Sequence, residues 1–422
     1  MPVELTESDR SFLRGERGEA AALAMRIVVE MAGVSGAGLL VDVASAHVDG
    51  CLYHGIAGLE FAERLVAGGA RVAVPTTLNV GALDLLHPDR YRGDPGMAAN
   101  ARRQMDAYVA MGCRPTWTCA PYQLPERPAF GQHVAWAESN AIVFCNSVLG
   151  ARTDRYGDFI DICAALTGRV PFAGLHRDEA RRAGLVVTLE GISERLLASD
   201  ALYPVLGYVL GREAGSEVAA IVGLPADTSE DRMKALGAAA ASSGSVAMVH
   251  AVGITPEAPT LETATGGEEV RELRVTTARL RASRDELSTD APERLGAVSV
   301  GTPHASLAEL ERLAGLLGTD EVAVPLYVNV GREVLAEAQG RGLVPRLESL
   351  GVRVVSDTCT YISPVMDEVN GSVMTDSAKW AWYAPANLGF DVVFGSLEEC
   401  VRSAALGRVW RDPDLWGDPS DA

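Results

Sequence analysis

Residues 297–329 read AVSVGTPHASLAELERLAGLLGTDEVAVPLYVN. The valine-rich runs at 297–301 and 321–329 predict buried strands, and SLAELERLAGLLG (306–318) between them has the apolar spacing of an amphipathic helix. A strand, a helix and a second strand at this spacing predict two parallel strands joined by a right-handed crossover. This stretch therefore favours an α/β fold.

The same alternation extends along much of the chain. Further strands are predicted at GLLVDVA (38–44), RVAVP (71–75), AAIVGLP (219–225), SVAMVHAVG (245–253) and VRVVSD (352–357). The pattern predicts several α/β domains with largely parallel sheets. We expect an N-terminal α/β region over 1–215, a C-terminal α/β region over 216–405 and a loosely held acidic tail over 406–422. The charged segment 258–295 is either a surface excursion or a domain boundary.

Composition and charge narrow the classes of partner. The chain has 422 residues, of which 48% are hydrophobic, and a net charge of −19. An acidic surface repels nucleic acid and anionic lipid, so we predict no nucleic-acid or membrane partner. No apolar run is long enough to span a bilayer, and the first 20 residues lack a signal-peptide pattern. Seven cysteines without a CxxC motif indicate reduced thiols and predict a cytoplasmic protein.

Polar residues at the predicted strand ends are candidates for ligand binding, because open α/β sheets bind ligands beyond the carboxyl ends of their strands. These candidates are Ser45, His47, Thr76, Thr77, Asn79, His250, Thr302, His304, Thr358 and Cys359.

A dense polar run at 115–155 is the strongest local signal of a site. Two prolines bracket Cys119, which predicts a rigid irregular segment. Polar residues then recur among apolar ones, and buried polar groups are costly unless they are paired. Arginines further along would suit a carboxylate or phosphate. The polar residues in question are Glu138, Ser139, Asn140, Arg152, Thr153 and Arg155. Each also has an ordinary interpretation: Cys119 as a packed thiol, the histidines as core residues, and Glu138 and the arginines as surface charges.

Several motifs together resemble the large subunit of the aconitase X family, which includes phosphomevalonate dehydratases and cis-3-hydroxy-L-proline dehydratases. They are SAHVDG (45–50), VPTTLN (74–79), PTWTCAPYQ (115–123), HVAWAESNAIVFCNSVLGARTDR (133–155), TGRVPFAGLH (167–176), GITPEAPT (253–260), GTPHASLAEL (301–310), SDTCTYISP (356–364) and MTDSAKWAWYAP (374–385). The resemblance extends over almost the whole chain. It implies an aconitase-like fold, with α/β domains around a central cleft.

The resemblance also implies an activity, which is removal of water from a small hydroxy acid, either hydroxyproline-like or phosphorylated. It implies an iron–sulfur cluster with Cys119 and Cys359 as ligands. Glu138, His304, Ser377 and Lys379 become candidates for substrate contact or proton transfer, and His176 joins the substrate-binding candidates. The small swivelling domain of the family is missing from this chain, so a separate small subunit is expected as a heterodimer partner.

Two departures from the family pattern leave alternatives open. Thr302 occupies the position where the family usually has a third cysteine ligand, and Trp382 replaces a common histidine. Cys113 could supply the third ligand, an oxygen or imidazole ligand could complete a cluster, or the site could hold mononuclear iron or no metal. The corresponding functional alternatives are isomerase or other biosynthetic chemistry, or a binding subunit that is inactive without its partner.

Overall fold

The computed structural model describes residues 3–289 and 294–417. The chain divides into two compact units. Unit 1 contains the residues up to Leu83 together with Gly93–Arg182, and unit 2 contains Asp84–Arg92 and the residues from Ala183 onward. The expected boundary after residue 215 lies inside unit 2. Within the described ranges, no helix is both long and apolar enough to cross a lipid bilayer.

Unit 1 combines helices with short strands. The helices are α1 (Glu7–Leu13), α2 (Glu19–Val34), α3 (Ile56–Ala67), α4 (Pro95–Ala110), α5 (Ser139–Ser147) and α6 (Asp158–Thr167). The strands are β1 (Leu40–Asp42), β2 (Ala46–Val48), β3 (Thr76–Leu78), β4 (Ala135–Trp136) and β5 (Arg169–Pro171).

The sheets of unit 1 differ in part from the sequence prediction. β2 lies between β3 and β4 and pairs with both in parallel. β1 pairs with β5 in the antiparallel sense, so the predicted parallel partnership of the runs at 38–44 and 71–75 is wrong. The predicted strand at 71–75 is also misplaced, because the strand is β3, directly after it. The apolar runs could be recognised in the sequence, but the residues of a run that form a strand depend on the neighbouring strand with which they pair.

Unit 2 is larger and more regular. Its strands are β6 (Leu185–Glu190), β7 (Ala219–Val222), β8 (Val249–Ala251), β9 (Arg271–Thr276), β10 (Leu295–Ala305), β11 (Leu326–Val330), β12 (Val352–Val355), β13 (Ser372–Thr375) and β14 (Val392–Phe394). Its helices are α7 (Glu194–Ala198), α8 (Leu202–Ala214), α9 (Glu230–Ser243), α10 (Leu261–Thr265), α11 (Thr277–Glu286), α12 (Leu307–Leu317), α13 (Arg332–Gly340), α14 (Leu343–Ser349), α15 (Ala378–Leu388) and α16 (Leu397–Leu406).

Two parallel sheets organise unit 2. One has the order β8-β7-β6-β9, and the other has the order β12-β11-β10-β13-β14. Strand β9 falls in the charged segment 258–295, where no strand was predicted. In the five-stranded sheet the chain adds β11 and β12 on one side of β10, and then β13 and β14 on its other side. The carboxyl ends of β10 and β13 therefore mark the switch point at which such sheets bind ligands.

The quoted stretch 297–329 forms β10, α12 and β11, as predicted. A capping box starts α12, in which Ser306 and Glu309 satisfy each other's backbone N–H groups. Leu310, Leu313 and Leu317 recur at helical spacing and are buried against the sheet. Local sequence and core packing agree here, which explains why the prediction succeeded.

The described part of the C-terminal tail packs against unit 2. Leu415 and Trp416 are buried, and the Arg284 guanidinium lies 5.2 Å from the centroid of the Trp416 ring. Residues 418–422 of the expected tail lie outside the described residues.

Candidate active site

In unit 1, the segment that carries Cys119 lies alongside β3. The Thr116 hydroxyl donates to the Leu78 carbonyl at 2.8 Å, and the Thr118 N–H donates to the same carbonyl at 3.2 Å. Trp117 has a φ of 45°, in the left-handed region, which costs a bulky residue on the order of 1–3 kcal/mol. Cys119 follows two positions later and is buried. The surrounding structure thus holds a strained backbone immediately before this thiol.

Glu138 is a second left-handed residue, with a φ of 72°, and it forms the N-cap of α5. Its carboxylate accepts the Ala141 N–H at 2.9 Å, the Ser139 hydroxyl at 3.3 Å and the side-chain amide of Asn140. These contacts engage both carboxylate oxygens in starting the helix. Its predicted catalytic role stays a prediction.

Asn140 connects α5 to the cysteine segment. Its Nδ2 donates to the Cys119 carbonyl at 2.6 Å, and its Oδ1 accepts the Tyr122 hydroxyl at 2.6 Å. The side chain is 1% exposed. Asn140 is a predicted substrate contact, whereas its observed hydrogen bonds are made with protein groups.

His47 and Thr77 face each other across β2 and β3. They are register partners, and His47 Nδ1 lies 2.8 Å from Thr77 Oγ1. Burial lowers the pKa of His47 to about 4, against a weaker opposing effect of the Glu138 carboxylate and the Thr118 backbone. The imidazole is therefore neutral near pH 7. Both residues lie within strands rather than after them, because β2 is a strand that was not predicted and β3 begins directly after the predicted run at 71–75.

Other predicted substrate contacts in unit 1 are engaged with the protein. Thr76 donates to the Val74 carbonyl at 2.8 Å, and Asn79 donates to the Asp49 carboxylate. Thr153 donates to the Trp136 carbonyl at 2.9 Å and accepts the Trp136 N–H at 3.0 Å, which joins 151–153 to β4. These three are buried, while Ser45 and Ser139 are partly exposed.

The predicted arginine pair separates into two environments. Arg152 donates to the His176 carbonyl at 3.0 Å and pairs with the Asp178 carboxylate. Arg155 is exposed. His176 is buried, and its Nδ1 lies 2.8 Å from Nδ1 of His133. Burial, reinforced by His133 and nearby guanidinium groups, lowers the pKa of His176 to about 3, so this imidazole is neutral.

Cys113, the alternative third ligand, has an unfavourable environment for a thiolate. Burial, with a smaller effect of the Asp161 carboxylate, raises the pKa of its thiol. A bound metal deprotonates a coordinating thiol, so Cys113 stays an alternative third ligand.

In unit 2, His304 and Cys359 come together beyond the carboxyl edge of the five-stranded sheet. His304 lies near the end of β10, and Cys359 follows β12. Their ligand atoms lie within 4.8 Å of each other, and both residues are fully buried. His304 Nε2 is also 3.3 Å from the Thr358 carbonyl oxygen. A thiol and an imidazole at this separation form a nitrogen–sulfur donor pair suited to iron, copper or zinc.

Asn329, which was not predicted as a site residue, organises the strand ends around this pair. Its Nδ2 lies 3.2 Å from both Thr302 Oγ1 and Thr360 Oγ1, and its Oδ1 accepts the Thr360 N–H at 3.1 Å. A Cβ on Gly301, whose φ is 77°, would lie 2.6 Å from the Asn329 carbonyl oxygen, so this approach requires glycine. The available sequence signal was an asparagine ending the apolar run PLYVN.

An ion pair supports the loop before Cys359. Asp357 has a φ of 64°, and its fully buried carboxylate accepts two hydrogen bonds from Arg332, at 2.6 and 2.7 Å. Cys359 thus lies two positions after a left-handed residue, as Cys119 does after Trp117. Arg332 was also missed, because nothing local to its sequence indicates this pairing.

Ser377 and Lys379 lie just after β13, at the start of α15. Ser377 is the N-cap of α15 and accepts the Trp380 N–H at 3.1 Å. Lys379 is 3% exposed, and its Nζ lies 5.9 Å from the centroid of the Tyr361 ring. Both predicted residues are therefore near the switch point of the sheet, where ligand contact is expected.

A cavity of about 400 Å³ opens at this switch point. Thr302, Ser377 and Asp376 are among the residues that line it. Its charged lining residues are Asp200, Asp227, Asp231, Glu309, Asp376, Arg232, Lys234 and Arg312. Acids outnumber bases there, and burial together with Glu309 raises the pKa of Asp376 to about 7. Asp376 is therefore only partly ionised near pH 7.

Three family descriptions match successive parts of the chain. They are Aconitase X first domain at 2–179, Aconitase X second domain at 183–285 and Aconitase X third domain at 295–406. The first match covers most of unit 1 and also includes Asp84–Arg92 of unit 2, and the other two lie within unit 2.

Similar proteins include a cis-3-hydroxy-L-proline dehydratase of Pseudomonas aeruginosa, 44% identical over 95% of this chain and 70% of the relative. A phosphomevalonate dehydratase large subunit of Methanothermobacter thermautotrophicus is 39% identical over 95% of this chain and 98% of the relative. The crystal structure of Thermococcus kodakaraensis aconitase X in its holo-form superposes with a TM-score of 0.85 at 33% identity, and the match covers 95% of this chain and 100% of that one.

These matches confirm the α/β fold class and the hydro-lyase class predicted from the sequence. The chain belongs to the aconitase X family.

Proposed function

We propose that this protein removes water from a small hydroxy acid, with Cys119, Cys359 and His304 as ligands of an iron centre. The buried Cys359–His304 pair carries the proposal, because a thiolate and an imidazole suit iron. When bound, the iron would act as a Lewis acid toward the departing hydroxyl. His304 takes the place of the missing third cysteine, since its ring nitrogen lies close to the Cys359 sulfur and the Thr302 hydroxyl is within hydrogen-bond distance of Asn329. Iron–sulfur and mononuclear forms both suit this donor set.

The chain itself must hold the substrate and accept a proton. Dehydration breaks a C–O bond and a neighbouring C–H bond, giving an alkene and water, so one group must take the carbon-bound proton. Ser377 and Lys379 are proposed for this step and for substrate contact, because both follow β13 at the switch point. Glu138 is less suited, since its carboxylate caps α5.

The substrate we favour is an amino acid of the hydroxyproline type. The Pseudomonas aeruginosa relative and a second cis-3-hydroxy-L-proline dehydratase, from Hypocrea jecorina at 43% identity over 96% of this chain, support that choice. The acid-rich cavity supports it too, because a phosphate dianion would be repelled there while an ammonium group would be attracted.

A phosphorylated hydroxy acid is the second candidate. The observation in its favour is the 39% identity to the archaeal phosphomevalonate dehydratase large subunit over 95% of this chain. Because that relative is a large subunit, a separate small subunit is proposed as partner. A cytoplasmic setting is proposed from the seven cysteines, which are buried and form no disulfide among the described residues.

Anaerobic reconstitution with iron and sulfide tests the metal proposal. Wild-type protein should bind iron and become coloured, while Cys119→Ser and Cys359→Ser should lose most of it. Cys163→Ser and Cys400→Ser are matched controls, because these thiols are also buried, one in each unit. Equal iron in all four variants and the wild type would overturn the ligand assignment.

Turnover separates the substrates and the partner requirement. Cis-3-hydroxy-L-proline and 5-phosphomevalonate should be assayed with the chain alone and with an added small subunit of the family. We expect turnover of the hydroxyproline. Turnover of the phosphorylated acid alone would select the second candidate, and no turnover of any hydroxy acid in either condition would favour the isomerase or binding-subunit alternatives.

A further inference from the structure

We infer that Asn140 is a positioning residue, whose side-chain amide holds the Cys119 backbone in the conformation that an iron ligand requires. The inference rests on the proposed function in that it takes Cys119 as a ligand. Asn140 would then hold a metal ligand in place and would not bind the substrate.

The hydrogen-bonding capacity of the amide supports this role. A side-chain amide has two N–H donors and one carbonyl acceptor. The nitrogen of Asn140 contacts the Cys119 carbonyl and the Glu138 carboxylate, and the oxygen accepts from Tyr122. With 1% of the residue exposed, both donors are directed at protein groups. No N–H of Asn140 is then left to bind a substrate.

These contacts hold the chain at Cys119 and at Tyr122 just after it. Asn140 holds the carbonyl of Cys119 itself and the side chain of Tyr122, three residues later. The Tyr122 ring stacks on Phe144 of α5, with 3.8 Å between ring centroids. The turn after Cys119 is therefore attached to α5 at two points, and the strained Trp117 lies on its other side. Groups that orient metal ligands commonly control metal affinity.

Asn146, near the other end of α5, is a natural control. It is as buried as Asn140, and its Oδ1 accepts from the Thr153 N–H and the Arg181 guanidinium, each at 3.1 Å. Asn146 thus makes the same kind of buried contact on the same helix but holds the 151–153 segment. Loss of either asparagine should destabilise unit 1, whereas only Asn140 reaches the Cys119 backbone.

The experiment compares Asn140→Ala, Asn140→Asp and Asn146→Ala with the wild type and Cys119→Ser in the full chain. Iron retention against a chelator is measured after reconstitution, thermal unfolding is followed, and thiol labelling of Cys119 is measured in metal-free protein. Asn140→Asp retains the volume and the acceptor for Tyr122 but loses both N–H donors, so it serves if the alanine variant does not fold.

We expect both Asn140 variants to lose iron about 10- to 100-fold faster than Asn146→Ala, and to label faster at Cys119. Equal iron loss in the Asn140 variants and Asn146→Ala, with equal unfolding temperatures, would overturn the inference. If wild type and Cys119→Ser retain iron equally, the proposed ligand has failed instead. In that case slower Cys119 labelling in Asn146→Ala than in Asn140→Asp still supports the backbone contact, and equal labelling refutes it.

Discussion

The two cysteines proposed as iron ligands are supported by different chemistry in the two units. Each follows a left-handed, non-glycine residue by two positions, Trp117 before Cys119 and Asp357 before Cys359. In unit 1 the groups that hold the cysteine segment directly are neutral, the amide of Asn140 and the hydroxyls of Thr116 and Tyr122, and the Glu138 carboxylate accepts from the Asn140 amide. In unit 2 it includes the ion pair of Asp357 with Arg332.

This difference implies that one backbone geometry can be maintained in two ways. Neutral hydrogen bonds between buried groups are nearly independent of salt and respond little to pH. A buried carboxylate depends on its cation, and loss of that cation leaves an uncompensated charge. The support of Cys359 should therefore be the more sensitive of the two to charge-changing substitutions.

Removal of Arg332 is expected to have the largest effect on stability. Arg332→Met would leave Asp357 ionised and buried near Asp84. The free energy of unfolding should fall by about 3 kcal/mol, which is the low end of the cost of breaking a buried ion pair, because Arg332 is partly exposed. Asp357→Asn should cost less, since the Arg332 guanidinium that loses its partner is partly exposed to water. Urea unfolding of both variants measures the difference. Equal costs would show that the charge of Asp357 is already well solvated.

Acid should destabilise unit 1 through His47. Its pKa of about 4 in the folded chain lies below the ordinary 6.5, so its contribution to stability is present above pH 6.5 and is lost as pH falls toward 4. Between pH 7 and 4, His47→Gln should lose about 2–3 kcal/mol less stability than the wild type. Unfolding of metal-free protein across this range is the measurement. Parallel pH profiles would contradict the expectation.

Asp376 should make the stability of unit 2 depend on pH in the opposite direction, with stability lost as the pH rises. Its pKa of about 7 lies above the ordinary 3.8, so its favourable contribution is present below pH 3.8 and is lost as pH rises through 7. Between pH 4 and 8, the free energy of unfolding of Asp376→Asn should rise by about 2 kcal/mol relative to that of the wild type. This figure is reduced because Asp376 is partly exposed. The same unfolding series tests this. A constant difference between variant and wild type would show that Asp376 titrates normally.

Helix caps should have the smallest effects, and similar ones in both units. Thr6 caps α1 in unit 1 and Ser396 caps α16 in unit 2, each within a capping box. Replacement of either residue by alanine should cost about 1 kcal/mol. Thermal unfolding of the two variants provides the comparison. A much larger cost in one unit would mean that its cap also supports tertiary contacts.

Local sequence predicted much of unit 2 and less of unit 1. The run 297–329 gave the correct β10, α12 and β11 because apolar period, capping and core burial agree within it. In unit 1 the strands have two or three residues, too few for a clear period. Their placement and the antiparallel pairing of β1 with β5 consequently could not be predicted.

For the candidate site, the sequence by itself determined the α/β class, the family, and the segments around Cys119 and Cys359, because short motifs keep their spacing along the chain. Only the tertiary structure decided the strand order β12-β11-β10-β13-β14, the contact of Asn140 with the Cys119 carbonyl and the ion pair of Arg332. It also decided that burial keeps His47 neutral. These features depend on partners that are distant in sequence and on desolvation, and neither is encoded in local periodicity.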